Sequence, residues 1–162
     1  MENNMPILGP GQLAKLAICE QFNFQSSPLD PLDLAQRLVK TMYDYNGVCL
    51  AAPQVGINLR VFAMRGAPEN FVCFNPRIVM PSEEQIRLEE TSMSYPGLLV
   101  KIKRPQHVKV RFSTPNGQTR TETFTGLTAR TFQHCMDFLN GEHFYSKANP
   151  IHRAQAFRKW KR

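Results

Sequence analysis

Residues 125–141, T-G-L-T-A-R-T-F-Q-H-C-M-D-F-L-N-G, carry the punctuation of a helix in a chain that otherwise reads mostly as strands. Thr125 offers a hydroxyl at the N-terminal cap, and Gly141 stands where a left-handed residue closes the last turn. Leu127, Phe132, Met136 and Leu139 give an apolar side at helical spacing. His134 lies mid-helix, and Phe138 falls one turn later on the same face.

In that register a zinc hydrolase places H-E-x-x-H, with two imidazoles one turn apart on the metal and a glutamate as base. The sequence here is His134-Cys135-Met136-Asp137-Phe138, so the frame is present and most of the donors are not. One histidine on a half-apolar helix is more often a packed core residue than a ligand.

A second helix is expected over 26–46. Asp30 caps it, Pro31 suits its first position, Asp33 favours its positive end, and Leu34, Leu38, Met42 and Tyr45 recur at near-helical spacing before Asn46-Gly47. Pro10 opens a short turn of helix. Residues 47–54, G-V-C-L-A-A-P-Q, are small and compact, and Pro53 argues for an edge strand or an irregular loop. Strands are expected over 59–64, 71–74, 77–80, 85–90 and 98–103. Val108, Val110 and Phe112 alternate with charged residues, and Thr114-Pro-Asn-Gly turns into a hairpin partner over 118–124. A short helix is expected over 150–162. Antiparallel or mixed strands packed around one late helix make an α+β fold.

With 162 residues, 42% of them apolar and 20% charged, one ordinary globular domain is expected, and no run is long enough to cross a bilayer. The N-terminus has no basic region followed by an apolar one. Cys19, Cys49, Cys73 and Cys135 are scattered, which favours free thiols and a cytoplasmic setting. The net charge of +7 sits largely in residues 143–162, which contain Lys147, Arg153, Arg158, Lys159, Lys161 and Arg162 and no acidic residue. That basic tail, with Phe157 and Trp160, suits docking on nucleic acid or an acidic protein surface, or a solvated terminal helix.

Three separated segments resemble the signatures of the peptide deformylases. Gly47-Val-Cys-Leu-Ala-Ala-Pro-Gln54 resembles G-x-G-L-A-A-x-Q, Glu90-Thr-Ser-Met-Ser94 resembles E-G-C-L-S, and Gln133-His-Cys-Met-Asp-Phe138 resembles Q-H-E-x-D-H. Asn75-Pro76 and Gly126-Leu127 also fall where the family has them. The resemblance runs from about Ile7 onward and implies a peptide-deformylase-like α+β fold whose central helix carries a degenerate H-E-x-x-H. It implies that the metal positions are Ser92, His134 and Phe138, where the family has cysteine and two histidines. It places Gln54 and the Met93 N–H at the oxyanion, Cys135 where the family has its glutamate, and Val48, Cys49 and Thr91 beside the substrate.

A catalytic metal needs three protein ligands and an open site. Ser92 offers a neutral hydroxyl and Phe138 offers nothing. Loss of even an outer partner costs ~10–100-fold, and without metal the water's pKa stays at roughly 15.7 rather than about 7. The expectation is therefore a pseudoenzyme with no cofactor, its cavity filled by Phe138, Met93 and Val48. Its basic tail would dock on the ribosome, and it would meet formyl-Met nascent peptides. One alternative is an active deformylase using Fe2+, Zn2+ or Ni2+ through unorthodox ligands, and another is a structural subunit of a larger assembly. A relocated soft-metal site or nucleophilic pair built from Cys49, His134 and Cys135 is a further alternative. Asp137 is expected to be a structural or surface acid, His143 and His152 exposed, and His107 on a sheet face. The C-terminus resembles phage-borne members, which would place the chain in a host cytoplasm.

Overall fold

All four residues of Val61–Met64 (β2) are buried, because helices cover both faces of the sheet they cross. Val61 and Ala63 point into a cluster with Leu34, Leu38 and Met42 of Pro31–Asp44 (α1). Phe62 and Met64 point the other way, toward Phe132 and Leu139 of Gly126–Leu139 (α2). The computed structural model describes residues 5–13 and 16–161. Its strands are Cys49–Ala51 (β1), β2, Phe71–Pro81 (β3), Gln85–Ser92 (β4), Tyr95–Pro105 (β5), His107–Ser113 (β6) and Thr119–Thr125 (β7), and a third helix spans Pro150–Trp160 (α3).

Five strands form one antiparallel sheet in the order β1-β2-β3-β6-β7, and β4 pairs with β5 in a separate antiparallel ribbon. Strand β1 takes the edge, one of the two readings that Pro53 allows, and the chain leaves it by a 3-10 turn over Ala52–Val55 that contains Pro53. The alternation that divides β2 also divides β1. Ala51 joins the α2 cluster with Cys49 packed against it, while Leu50 joins the α1 cluster.

Helix α1 starts at Pro31 rather than at residue 26. Asp30 accepts a hydrogen bond from the Asp33 N–H at 3.0 Å and closes the first turn there. The two strands expected over 71–74 and 77–80 are one, β3, interrupted by a bulge at Asn75-Pro76. Asn75 sits in the left-handed region at φ 52, and its amide bonds both backbone groups of Phe22, which replaces the strand partner lost at the bulge. At Pro10 there is only a turn, with the Gln12 and Leu13 N–H groups donating to Gly9 O.

Helix α2 begins beside Thr125, whose side chain makes no capping bond. Instead the Gly126 N–H donates to Gln106 O. At the far end Gly141 takes φ 73, and a Cβ there would lie 2.7 Å from the Ala17 carbonyl carbon. Gly141→Ala is therefore expected to destabilise the fold by about 1–3 kcal/mol, read as a lower midpoint in urea unfolding with an unchanged slope.

The basic C-terminal segment is docked on the body. Trp160 and Phe157 pack in an aromatic cluster with Tyr95 and Tyr145, and the Trp160 indole N–H donates to Pro96 O at 2.8 Å. Arg158, Lys159 and Lys161 stay exposed, and Arg162 lies outside the described residues. His143 and His152 are half-buried rather than exposed; His143 stacks on Tyr145 with ring centroids 4.8 Å apart. His107 opens β6 and is half-buried. Among the described residues, no helix is long and apolar enough to cross a membrane.

Candidate functional site

Strand β5 alternates regularly, with Leu98, Val100, Ile102 and Arg104 all buried on its inner side. An arginine in that series must find a carboxylate, since an unpaired buried charge is costly. It finds two. Arg104 donates to both carboxylate oxygens of Glu90 on β4 and to Asp137 of α2 at 2.8 Å. Arg130, one turn before His134 on α2, donates to Glu90 as well and to the carbonyls of Ile86 and Ile102. Glu90 and Asp137 thus hold two buried arginines between β4, β5 and α2, and Asp137 is a structural acid but not a surface one, at 3% exposure.

His134 completes the set. Its Nδ1 lies 2.8 Å from Glu90 Oε1. Burial would raise the Glu90 pKa, but the hydrogen bonds from Arg104 and His134 outweigh it and hold the carboxyl at about 2. Glu90 is then a carboxylate that can only accept, so the Nδ1–H of His134 donates to it. Asp137 moves the other way: burial raises its pKa, with Arg104 opposing.

The positions singled out from the sequence do gather around this histidine. Gln54, 2% exposed, accepts from the Ala51 N–H through Oε1 and donates through Nε2 to the hydroxyls of Ser92 and Ser94, each at 3.2 Å. Ser92 Oγ also accepts from the Ser94 N–H. Phe138 sits beside His134 with ring centroids 5.6 Å apart, and Phe144 lies 5.0 Å away. Cys135 is fully buried in the core cluster that Cys49 packs against. Hydrogen bonding from Cys135 holds the Cys49 thiol below its ordinary value against the effect of burial, with His134 acting in the same sense, whereas burial first and then Cys49 push the Cys135 thiol well up.

The expected filling of the cavity does not occur. A hollow of about 260 Å³ walled by Leu127 and Thr131 adjoins one of about 200 Å³ walled by Gln54, Ser92 and Met93, and Val48, Cys49, Thr91 and His134 border both. Phe138 is buried against His134 and borders neither hollow, and Val48 remains 61% exposed at the rim. Leu127, expected on the buried side of α2, is 72% exposed and forms the opposite rim.

The family resemblance implies a divalent metal, and the side chains here do not fit one. Ser92 Oγ already accepts two hydrogen bonds, Phe138 has no donor atom, and Asp137 is turned to Arg104. Among the described residues no group of three or more His, Cys, Asp or Glu side chains could hold a metal ion, and that includes Cys49, His134 and Cys135. What the sequence reading missed is the support. The signals were Arg104 at an inward position of β5, and Arg130 one turn before His134.

A family model described as polypeptide deformylase matches residues 17–154. The peptide deformylase of Thermotoga neapolitana is 41% identical over 118 residues, covering 73% of this chain and 72% of that protein. Among solved structures, a peptide deformylase from Legionella pneumophila superposes with a TM-score of 0.84 at 31% identity, covering 98% of this chain and 94% of that one. One from Synechococcus elongatus, in complex with actinonin, gives 0.87 at 29% identity, covering 99% and 87%.

Proposed function

The chain belongs to the peptide deformylase family, and we propose on that premise that it binds the N-terminal methionyl end of new peptides without removing the formyl group by the family route. The observation that carries this reading is an open cleft beside a preserved Glu90–His134 pair whose other metal positions are Ser92 and Phe138. Val48, Leu127 and Met93 supply apolar walls suited to an unbranched side chain. Gln54 supplies a carboxamide N–H, now spent on Ser92 and Ser94. With no carboxylate at residue 135 and a raised thiol in its place, no general base faces the cleft from that position.

The names of the relatives favour a second reading, an active deformylase with unorthodox ligands for Fe2+, Zn2+ or Ni2+. One experiment separates the two. Calorimetric titration with a formyl-Met-Ala-Ser peptide, with formate measured in the same cell after adding each metal, should show binding and no formate above the metal-only blank. Chelator-sensitive formate release establishes the second reading. Absence of both binding and formate removes both. Leu127→Asp should weaken binding about tenfold or more.

We also propose the ribosome as the partner of the exposed cations of α3. Removing residues after Lys147 would uncover Tyr95, so charge reversal at Arg158 and Lys161 is the cleaner test. Unchanged sedimentation with ribosomes would reject this docking.

A further inference from the structure

Independently of either reading, we propose that Cys49 and Cys135 form a dithiol site on the floor of the cleft that a peroxide closes to a disulfide. The alternation of β1 sets Cys49 on the same side as Ala51, against α2, and Cys135 faces it from that helix. Cys49 packs against the core cluster that contains Cys135, and it shares both hollows with His134, the residue next to Cys135. Cys49 is half-buried and borders both hollows, so a small oxidant arriving through the cleft meets it first. Cys135 is fully enclosed and can react only with what Cys49 has become. Cys19 and Cys73 are buried and border neither hollow.

The chemistry balances in two steps. The Cys49 sulfur attacks one oxygen of hydrogen peroxide and the O–O bond breaks. Cys49 becomes a sulfenic acid, and the other oxygen leaves as water with the thiol proton. The Cys135 sulfur then attacks the Cys49 sulfur, the S–O bond breaks, and the hydroxyl leaves as a second water with the Cys135 proton. One peroxide is reduced and two thiols are oxidised. The product ties β1 to α2 across the cleft floor, beside His134.

The test uses the reduced full chain and hydrogen peroxide, followed by alkylation with N-ethylmaleimide in denaturant and mass spectrometry. The expected product is about 2 Da lighter before alkylation than the reduced chain, takes two labels instead of four, and yields one linked peptide pair containing Cys49 and Cys135. Dithiothreitol should restore four labels. Cys49→Ala and Cys135→Ser, each first checked for a native circular dichroism spectrum, should both abolish the linked pair. A link through Cys19 or Cys73 overturns the proposal. So does sulfinic acid at Cys49 without a link, or four unmodified thiols after treatment; the last two outcomes are read on the unsubstituted chain and depend on no variant.

Discussion

Ser92→Cys, Cys135→Glu and Phe138→His made together are expected to turn a chain without a metal grip into one that retains a divalent ion through dialysis. The support such an ion needs is already in place. Glu90 holds the His134 ring by Nδ1 and leaves Nε2 available, while Arg104 and Arg130 hold Glu90. Residue 138 lies on the same face as His134, one turn on, and residue 92 is buried beside Gln54. Before metal is added, the variant should be less stable than the parent. It places an imidazole where Phe138 is 1% exposed and a carboxyl where Cys135 is fully buried, each costing about 1–3 kcal/mol unless partnered. Zinc or nickel should recover that loss and raise the melting temperature, because binding free energy becomes folding free energy. Formate release should return with it. A folded variant that takes up no metal would show that more than the donor atoms has changed.

The second large effect is at Glu90. Glu90→Ala leaves Arg104 and Arg130 facing one another in the interior and His134 without its anchor, which should cost about 3–5 kcal/mol. Glu90→Gln keeps the shape and removes the charge, and its effect should depend on pH. The folded-state value of Glu90 is about 2 against an ordinary 4.5. A depressed carboxylate adds stability above its unfolded value and loses it as the pH falls through the folded one. The advantage of the parent over Glu90→Gln should therefore be full above pH 4.5, worth about 3 kcal/mol, and shrink toward pH 2. Asp137 works with the opposite sign. Its raised value means that its ionisation above 3.8 weakens the fold, so acid relieves that strain and flattens the parent's own acid limb. Urea unfolding of both proteins from pH 7 to pH 2.5 measures the difference; a gap that stays constant across that range would contradict the assignment.

Much of the site was legible because its residues fall in three compact segments, each with its own motif or periodic signal. Helix α2 was, and so were the register of His134 against Phe138 and the edge character of 49–51. Two elements were not. The bulge at Asn75 broke the apolar alternation of β3, so one strand read as two. The ion network was hidden for a different reason. Arg104 and Arg130 reach Glu90 across 14 and 40 positions, and no local period encodes such a pairing. The cleft was misjudged by counting volume alone. A phenyl ring fills an imidazole's space, but Phe138 is buried in the core against His134 and borders neither hollow. The hollow toward Val48 and Leu127 is left open. The membership in the family and the α+β fold with its central helix follow the sequence motifs closely; the donor atoms are where this chain departs from them.

That departure can be weighed directly in the unsubstituted protein. The full chain, expressed in medium rich in iron, zinc and nickel and purified without chelator, should carry far less than one metal per molecule by plasma mass spectrometry. His134→Ala should leave that figure unchanged. A full equivalent of metal in the parent, lost on chelation and lost in His134→Ala, would contradict the account.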